Sequence, residues 1–393
     1  MLYGEKTRYW LWLSLALRSC SKRFWDVLER FGFSAEKFYK AFLAGEAGEM
    51  NEKDITALNG ASLRQADAML QYCVDKGYKL ICFEDEEYPQ VLASICNPPF
   101  VLFCMGHIEL LGRNNLIAVV GTRNPSEYGK KCAAELCGEL AREGYVIVSG
   151  FALGIDSISH RTALKKKEPT IAVLGCGIEY PYPKENVKSK EYIAKSGLFV
   201  SEYPPSSPPD RWCFPQRNRI LSGLCAGTLV IEGGKSSGSL VTATYAVEQG
   251  RDVFCVPPHD IFDEQFRGNV KLLRSGAIPV FEPQDIIDEL NLSQIGRLVP
   301  PKQEKKPEKK KKASSEKAKE KPAAEQSYKY DFSSYDAEKR SILEALAEKE
   351  QYVDELSLSL DIPISELFLA LTELEIDGAV EAMPGNRYSL LLK

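Results

Sequence analysis

The sequence predicts an α/β protein built on a Rossmann-like, doubly wound and mostly parallel sheet, with an N-terminal helical domain and a C-terminal winged-helix domain. Between residues 80 and 290, short apolar runs alternate with helical patterns, as in strands joined by right-handed crossovers. The preceding residues carry apolar side chains at helical spacing. After residue 335 the pattern is that of helices followed by a hairpin. We therefore predict domains at 1–78, 79–292 and 335–393, with a linker at 293–334.

The first 78 residues are expected to form a small helical bundle. Residues 54–73 read as a short helix, a turn at Asn59–Gly60 and a longer helix, a layout similar to a helix-hairpin-helix or SAM-like bundle. In other proteins the turn of such a motif contacts a DNA backbone, but a bundle that only packs on its neighbour is the favoured interpretation. The apolar residues at helical spacing are Trp10, Leu13, Leu17, Phe24, Val27, Leu28 and Phe31.

Glycine follows several of the predicted strands. In an open parallel sheet the ligand crevice lies at the carboxyl ends of the strands, where glycine lets a ligand approach the backbone. The strands are predicted at Leu116–Val120, Val146–Ser149, Thr170–Leu174, Leu198–Ser201, Thr228–Ile231, Asp252–Val256 and Ile278–Phe281. The glycines in or beside four of their ends are Gly121, Gly150, Gly175 and Gly233.

Residues 293–334 are rich in lysine and almost free of large apolar side chains, which predicts a disordered linker that serves as a solubilising tether. The tail reads as helices at 337–349, 352–360 and 364–377, followed by a hairpin that turns at Pro384–Asn386. The third helix of this winged-helix layout contains no lysine or arginine and would be repelled by phosphates, so a protein-contact role is predicted. Its acidic residues are Glu366, Glu373, Glu375 and Asp377.

Composition narrows the class of protein. A net charge of -5 argues against coating nucleic acid by bulk attraction, so any such binding needs a local basic surface. The 11 cysteines are scattered and only 3 histidines are present, so no metal site, cofactor site or disulfide framework is predicted. Lys6, Arg8 and the apolar run before Cys20 imitate an export signal, but Arg18 stands where cleavage needs a small residue. The chain is expected to be cytoplasmic, without a membrane span.

Two turns at strand ends carry candidate polar groups. The turn VVGTRNPSEYG presents backbone amides and Arg123 to the crevice, although a surface ion pair for Arg123 is the alternative. It lacks the G-x-G-x-x-G pattern, which argues against a dinucleotide. In SGFALGIDSISH, Asp156 and His160 share a helical face, and because no further metal ligand is near, we expect Asp156 to orient the backbone or His160.

A third cluster, FPQRNRI, points most directly to nucleic acid. Arg217 and Arg219 bracket an asparagine, and Arg211 and Trp212 precede them, so guanidinium groups that bind phosphate stand beside aromatic rings on which bases stack. The alternative is that the rings of Trp212 and Phe214 seal the core beneath the loop.

A fourth turn, EGGKSSGSLVTA, follows a strand and begins a helix. Its amides, the ammonium group of Lys235 and the serine hydroxyls make a site for an anion. A P-loop is excluded because Leu229 occupies the position of its first glycine. The G-x-S-x-G match at 234–238 imitates a hydrolase nucleophile, but only His259 follows as a base and no acid partner is clear, so no enzyme is predicted.

Together these motifs resemble the DprA/Smf family of DNA-processing proteins. The series that carries the resemblance is VVGTRNPSEYG, VIVSGFALGIDSISH, TIAVLGCGIEYPYPKEN, FVSEYPPSSPPDRWCFPQRNRILSGL, TLVIEGGKSSGSLVTATYAVEQGRDVFCVPP and GNVKLLRSGAIPVF. Two loops depart from the family pattern, VPPHD in place of Val-Pro-Gly and EYPYP before Lys184.

The resemblance implies a homodimer that binds single-stranded DNA without strong sequence preference. It also implies a mediator that loads the RecA recombinase on to DNA otherwise coated by single-strand-binding protein, as in natural transformation. The DNA-binding residues expected from the resemblance and from the fourth turn are Gly121, Arg123, Lys184, Arg211, Phe214, Arg217, Asn218, Arg219, Lys235, Ser236, Ser237, Gly238 and Ser239.

Two other classes of function remain open at this point. A nucleotide-processing Rossmann enzyme akin to the phosphoribohydrolases is the first, but its Pro-Gly-Gly-x-Gly-Thr-x-x-Glu loop is replaced here by Ile231–Lys235. A winged-helix regulator is the second, and the acidic third helix argues against it.

Overall fold

The computed structural model describes residues 3–17 and 22–297 and, in the C-terminal part, residues 335, 337–348, 351–360, 362, 367, 370–371, 373–375, 377, 379–383 and 387–391. The chain divides into two compact units, Met1–Gln303 and Glu304–Lys393. The domain boundary predicted at residue 78 therefore falls inside the first unit.

Five helices begin the chain: α1 Thr7–Leu17, α2 Lys22–Glu29, α3 Ala35–Leu43, α4 Glu52–Gly60 and α5 Leu63–Lys76. The predicted turn at Asn59–Gly60 is wrong, because both residues belong to the end of α4 and the turn lies at Ala61 and Ser62. Ser62 accepts a hydrogen bond from the Gln65 amide, and the Gln65 side chain bonds the Ser62 amide in return. This capping box fixes the start of α5 at Leu63.

The predicted mostly parallel sheet is confirmed, and it carries two additional strands, β1 and β2, that are joined to it through antiparallel pairs. Its order is β1-β2-β6-β5-β4-β3-β7-β8-β9, in which the β1–β2 and β2–β6 pairs are antiparallel and the other pairs are parallel. The chain leaves β3 in one direction through β4 to β6 and then returns to its other side at β7, which is the topological switch point. The strands are β1 Lys79–Cys82, β2 Val101–Gly106, β3 Leu116–Val120, β4 Val146–Ser149, β5 Thr170–Leu174, β6 Leu198–Ser201, β7 Gly227–Val230, β8 Asp252–Cys255 and β9 Ile278–Pro279.

Helices cover both faces of this sheet, because alternate strand residues point to opposite sides. One face packs on α6, α10 and α11, and the other packs on α7, α8 and α13 and, toward β1, β2, β5 and β6, on the N-terminal helices. These helices are α6 Gln90–Ala93, α7 Glu127–Arg142, α8 Ile155–Lys165, α9 Val187–Ser196, α10 Cys213–Gly223, α11 Gly238–Glu248, α12 Arg267–Arg274 and α13 Pro283–Arg297.

The predicted start of the disordered linker at residue 293 is wrong. Helix α13 continues to Arg297, because Ile286 and Leu290 anchor it in the core and no proline interrupts the turns that follow. The rest of the predicted linker, 298–334, lies outside the described residues.

The second unit contains α14 Ala337–Glu348, β10 Gln351–Tyr352, α15 Val353–Leu360, β11 Val380–Met383 and β12 Arg387–Leu390. Its three strands form a sheet in the order β10-β12-β11, and its core includes Ile342, Leu356 and Leu371. The predicted third helix is described only in part, and the predicted turn at Pro384–Asn386 lies outside the described residues. Throughout the described ranges, no helix combines the length and the apolar character needed to cross a membrane.

Candidate nucleic-acid interface

A groove runs along the carboxyl edge of the sheet, where the four glycine-containing turns meet. Its volume is about 750 Å³, which lies within the range of roughly 300–1000 Å³ that ligand-binding pockets span. The lining residues are Val120, Gly121, Thr122, Arg123, Ala152, Asp156, Tyr182, Pro209, Arg211, Phe214, Pro215, Arg217, Asn218, Ser237, Gly238, Ser239, Val241 and Thr242.

The first turn, after β3, is fixed by its own backbone. The Thr122 amide donates to the Glu232 carbonyl over 2.7 Å, and the Thr122 carbonyl accepts from the Ile155 amide over 3.1 Å. Gly154 makes this approach possible, because it has a φ of +75° and a Cβ there would collide with the Thr122 and Arg123 carbonyl oxygens. Arg123 is exposed, lines the groove and forms no ion pair with any residue that the structure describes. Its cationic group is thus free to meet an anion.

Glu232, which the sequence analysis did not single out, ties the first and fourth turns together. Its buried carboxylate accepts hydrogen bonds from the Ser126 amide over 3.1 Å and from the Ser126 hydroxyl over 2.7 Å. Ser126 also caps α7 through the Gly129 amide. A side chain on Gly129 would collide with this carboxylate. The signal in the sequence is an acidic residue directly after a buried strand.

In the second turn, Asp156 orients the backbone by accepting from the Ala152 amide over 3.1 Å, in agreement with one of the two predicted roles. Burial raises the pKa of this carboxyl, and the nearby Arg217 guanidinium opposes the shift. The His160 imidazole instead bonds the Thr170 hydroxyl over 2.7 Å. Burial, followed by the charge of Arg217, lowers the pKa of His160 to about 3. Within the described residues, no cluster of side chains with metal-binding geometry occurs.

Helix α10 distributes the FPQRNRI residues over different faces. Phe214 is half-buried, lines the groove and packs against the Tyr182 ring with centroids 5.4 Å apart. Asn218 lies further along the same side and donates to the Gly238 carbonyl over 3.5 Å. Arg217 is only 5% exposed and donates to the Val173 carbonyl, so it forms part of the groove floor rather than a mobile surface group.

Arg219 does not reach the groove, which corrects the prediction for this residue. Its side chain is 1% exposed and pairs with the buried carboxylate of Glu202, with 2.6 Å between Nη2 and Oε2. The two arginines are two residues apart, and a helix rotates by about 100° per residue. Arg219 therefore points into the core on the far side of α10 and leaves no surface for a ligand.

The residues before α10 are in solvent. Arg211 is exposed and lines the groove, and Trp212, the next residue in the chain, is 73% exposed. The interpretation that Trp212 seals the core is therefore wrong. Phe214 both packs on the Tyr182 ring and lines the groove. An exposed indole beside a basic groove is available for stacking.

The fourth turn places the start of α11 at the groove. Ser237 caps this helix by accepting from the Ser239 amide over 3.4 Å, and the two hydroxyls lie 2.8 Å apart. Lys235 and Ser236 are exposed just before it. Gly233 accepts from the Gly268 amide over 2.8 Å, which joins the turn to α12. Amides, hydroxyls and a helix N-terminus together favour an anion.

Besides Arg219, the flagged residues Lys184, Lys235, Ser236 and His259 are not among those that line the groove. Lys184 is exposed at the start of a short 3₁₀ turn. It directly follows Tyr182, which lines the groove, and Pro183, which lines a small pocket of about 50 Å³ beside it. His259, the one candidate base of the hydrolase alternative, packs between the Tyr128 and Phe266 rings at centroid distances of 5.3 Å and pairs with Asp263.

The fold and the groove define a Rossmann-like protein with an open, locally basic edge in place of a dinucleotide site. The family model of the DNA recombination-mediator protein A matches residues 79–291, and the model of the DprA winged-helix domain matches residues 317–386. The chain belongs to the DNA recombination-mediator protein A family, also called DprA or Smf, which is a family of DNA-processing proteins.

Individual relatives agree with this membership. The DNA processing protein DprA of Bacillus subtilis is 44% identical over 216 residues, which cover 55% of this chain and 72% of that protein. The X-ray structure of DprA from Streptococcus pneumoniae superimposes with a TM-score of 0.64 at 34% identity, over 72% of this chain and 98% of that one. A DprA structure from Helicobacter pylori, solved to explain its single-stranded DNA binding mode, has a TM-score of 0.50 at 33% identity, over 55% and 96% of the two chains.

Proposed function

We propose that this chain binds single-stranded DNA in the groove and acts as a non-enzymatic recombination mediator that loads RecA on to it. The observation that carries the proposal is the groove itself. Two exposed arginines, Arg123 and Arg211, stand beside the half-buried ring of Phe214 and the N-terminus of α11. Guanidinium groups and helix amides bind phosphates, and aromatic rings stack on bases of any sequence.

The geometry favours binding without strong sequence preference. Apart from the Asp156 carboxylate, which is buried and accepts from the Ala152 amide, the polar groups of the groove are cations, amides and hydroxyls of the type that contact phosphates. The aromatic rings offer flat faces on which any base can stack. A net charge of -5 means that the attraction must be local to this edge. The winged-helix unit is proposed to contact protein, because its acidic third helix would repel phosphates.

The proposed interface differs from the sequence prediction at two positions. Arg219 is left out because it is buried, and Trp212 is added as a stacking group. Arg217 contributes its positive charge from the floor. The other proposed contacts are Gly121, Arg123, Lys184, Arg211, Phe214, Asn218, Lys235, Ser236, Ser237, Gly238 and Ser239.

The proposed partners follow from the family. The H. pylori relative binds single-stranded DNA, and the family is that of a recombination mediator. We therefore propose that this chain forms a homodimer, that it binds RecA in the cytoplasm, and that it helps to displace single-strand-binding protein. Natural transformation is the proposed setting.

The decisive measurement is the affinity of Arg123→Ala for fluorescent oligonucleotides across a range of salt concentrations. Loss of one phosphate contact weakens binding to all sequences alike and reduces the slope of log K against log salt by about 1. Arg142→Ala is the matched control, because Arg142 ends α7 at the opposite edge of the sheet and pairs with Glu139. Equal affinities for the two variants would contradict the site.

The mediator activity is tested separately with the unmodified chain. RecA filament assembly on DNA coated with single-strand-binding protein should accelerate when the chain is added, and duplex DNA should compete poorly for the groove. Release of free base from nucleoside monophosphates by the purified protein would support the phosphoribohydrolase alternative instead.

A further inference from the structure

A carboxylate beside the groove is held by two tyrosines from the N-terminal part of the chain. The Tyr72 hydroxyl, on α5, donates to Glu179 and lies 2.8 Å from both carboxylate oxygens. The Tyr78 hydroxyl, in the link between α5 and β1, lies 3.1 Å from Oε1 of the same group. We call Tyr72, Tyr78 and Glu179 the tyrosine clamp. It joins segments about 100 residues apart in sequence.

The clamp grips the turn that forms one wall of the groove. Glu179 stands three residues before Tyr182, which faces the groove and packs on Phe214, and five before Lys184. On its other side the turn is attached by backbone bonds, since the Glu179 amide donates to the Pro205 carbonyl over 2.9 Å. The turn is therefore fixed on one side by its backbone. On the other side it is held by the two phenols, and the Lys190 ammonium donates to the Tyr180 carbonyl over 3.3 Å.

The phenols remain protonated donors at any physiological pH. Burial, with the charge of Glu179 next, raises the pKa of Tyr78 to about 12. The hydrogen bond to Glu179 is the main cause of the raised pKa of Tyr72. Bonds from neutral donors to a carboxylate are stronger than bonds between neutral groups, so the clamp restrains the turn.

We propose that Tyr72 and Tyr78 are positioning residues for DNA binding: the N-terminal helices set the place of the groove wall that carries Tyr182 and Lys184. This inference rests on the proposed function, and it gives the N-terminal helices a part in binding without any contact to DNA.

The test is a double-mutant cycle between the clamp and Lys184. Tyr72→Phe with Tyr78→Phe removes both hydroxyls and keeps both rings. Binding of single-stranded DNA should weaken about threefold or more, and the same substitutions should weaken it less in the Lys184→Ala background, where the clamp acts only through Tyr182. Tyr39→Phe is the control, since Tyr39 packs its ring on Tyr9 and Trp12 within the same helices. Full additivity of the clamp and Lys184 effects would overturn the proposal.

Hydrogen exchange without DNA separates this inference from the proposed function. In the double tyrosine variant, amides of residues 177–184 should exchange faster, whereas those of α8 should not change. In Glu179→Gln, which keeps one carbonyl acceptor, the exchange rate of residues 177–184 should lie between that of the native chain and that of the double tyrosine variant. Unchanged exchange at 177–184 would overturn the clamp even if the native chain binds DNA. Faster exchange in a chain that fails to bind DNA would retain the clamp as a structural link but refute both its role in binding and the proposed function.

Discussion

Replacing Arg219 by methionine separates a structural arginine from the arginines that are proposed to bind DNA. Arg219 and Glu202 are 1% and 3% exposed and share one hydrogen bond of 2.6 Å. Oε1 of Glu202 and the Nε and Nη1 atoms of Arg219 have no hydrogen-bond partner among the described residues. Arg219→Met therefore leaves an unpaired carboxylate in the core.

The expected cost follows from burial of that charge. Removing one partner of a buried ion pair costs about 3–5 kcal/mol, a large part of the roughly 5–15 kcal/mol that stabilises a folded domain. In a unit of about 300 residues, each kcal/mol lowers Tm by about 2 °C, so Arg219→Met should melt roughly 6–10 °C below the native chain. Because the pair leaves polar atoms unsatisfied, Arg219→Met combined with Glu202→Leu should recover most of the loss or exceed the native stability.

Thermal unfolding followed by circular dichroism, together with DNA binding below the melting range, measures both properties. Arg211→Met is the matched substitution, because Arg211 is exposed and lines the groove. It should bind DNA less tightly without a change in Tm. If Arg219→Met melted with the native chain and lost DNA affinity, the assignment of Arg219 to the core would be refuted.

Three further predictions concern the groove and its support. Trp212 should stack on bases of single-stranded DNA. Because the other three tryptophans are at most 5% exposed, saturating single-stranded DNA should quench the tryptophan fluorescence through Trp212, and an abasic strand should not. Emission that is unaltered by the DNA would exclude stacking. Gly154 has a φ of +75°, so Gly154→Ala should lower the free energy of unfolding by about 1–3 kcal/mol and weaken DNA binding. Gly238→Ala is the control for stability, because an added Cβ there meets open space, and it should change neither the free energy of unfolding nor the fold. The pKa of His160 is lowered to about 3, so the folded chain resists a proton that the unfolded chain accepts near pH 6.5. The contribution of His160 to the free energy of unfolding should therefore be complete above about pH 6.5 and be lost as the pH falls, by up to about 1.4 kcal/mol per pH unit. In urea titrations, His160→Gln should make the free energy of unfolding less dependent on pH. Equal pH dependence in the native chain and in His160→Gln would contradict the lowered pKa of His160.

The central strands were predictable because they are buried on both faces and read as unbroken apolar runs between glycines. Strands β1 and β2 were not predicted as such, since they pair antiparallel at the edge and follow no crossover pattern. Helix α13 runs five residues into the predicted linker, because residues 293–297 contain no lysine and continue the turns that Ile286 and Leu290 anchor in the core.

Within the site, sequence pattern identified the turns but not the direction of each side chain. Arg217 and Arg219 are equivalent in the FPQRNRI motif until the start of α10 at Cys213 is known, because only the helical phase distinguishes floor from core. The contacts of Glu232 and Glu179 join residues about 100 positions apart. No local pattern predicts such long-range pairs.

The backbone bonds between neighbouring turns have a consequence for engineering. Ile155 donates to Thr122, Thr122 donates to Glu232, and Gly268 donates to Gly233, so main-chain atoms alone connect three turns and α12. Side chains at the surface of this framework, such as that of Arg123, can be exchanged without altering the scaffold beneath them. If the groove binds DNA as proposed, its affinity can be changed through these side chains while the main-chain framework stays intact.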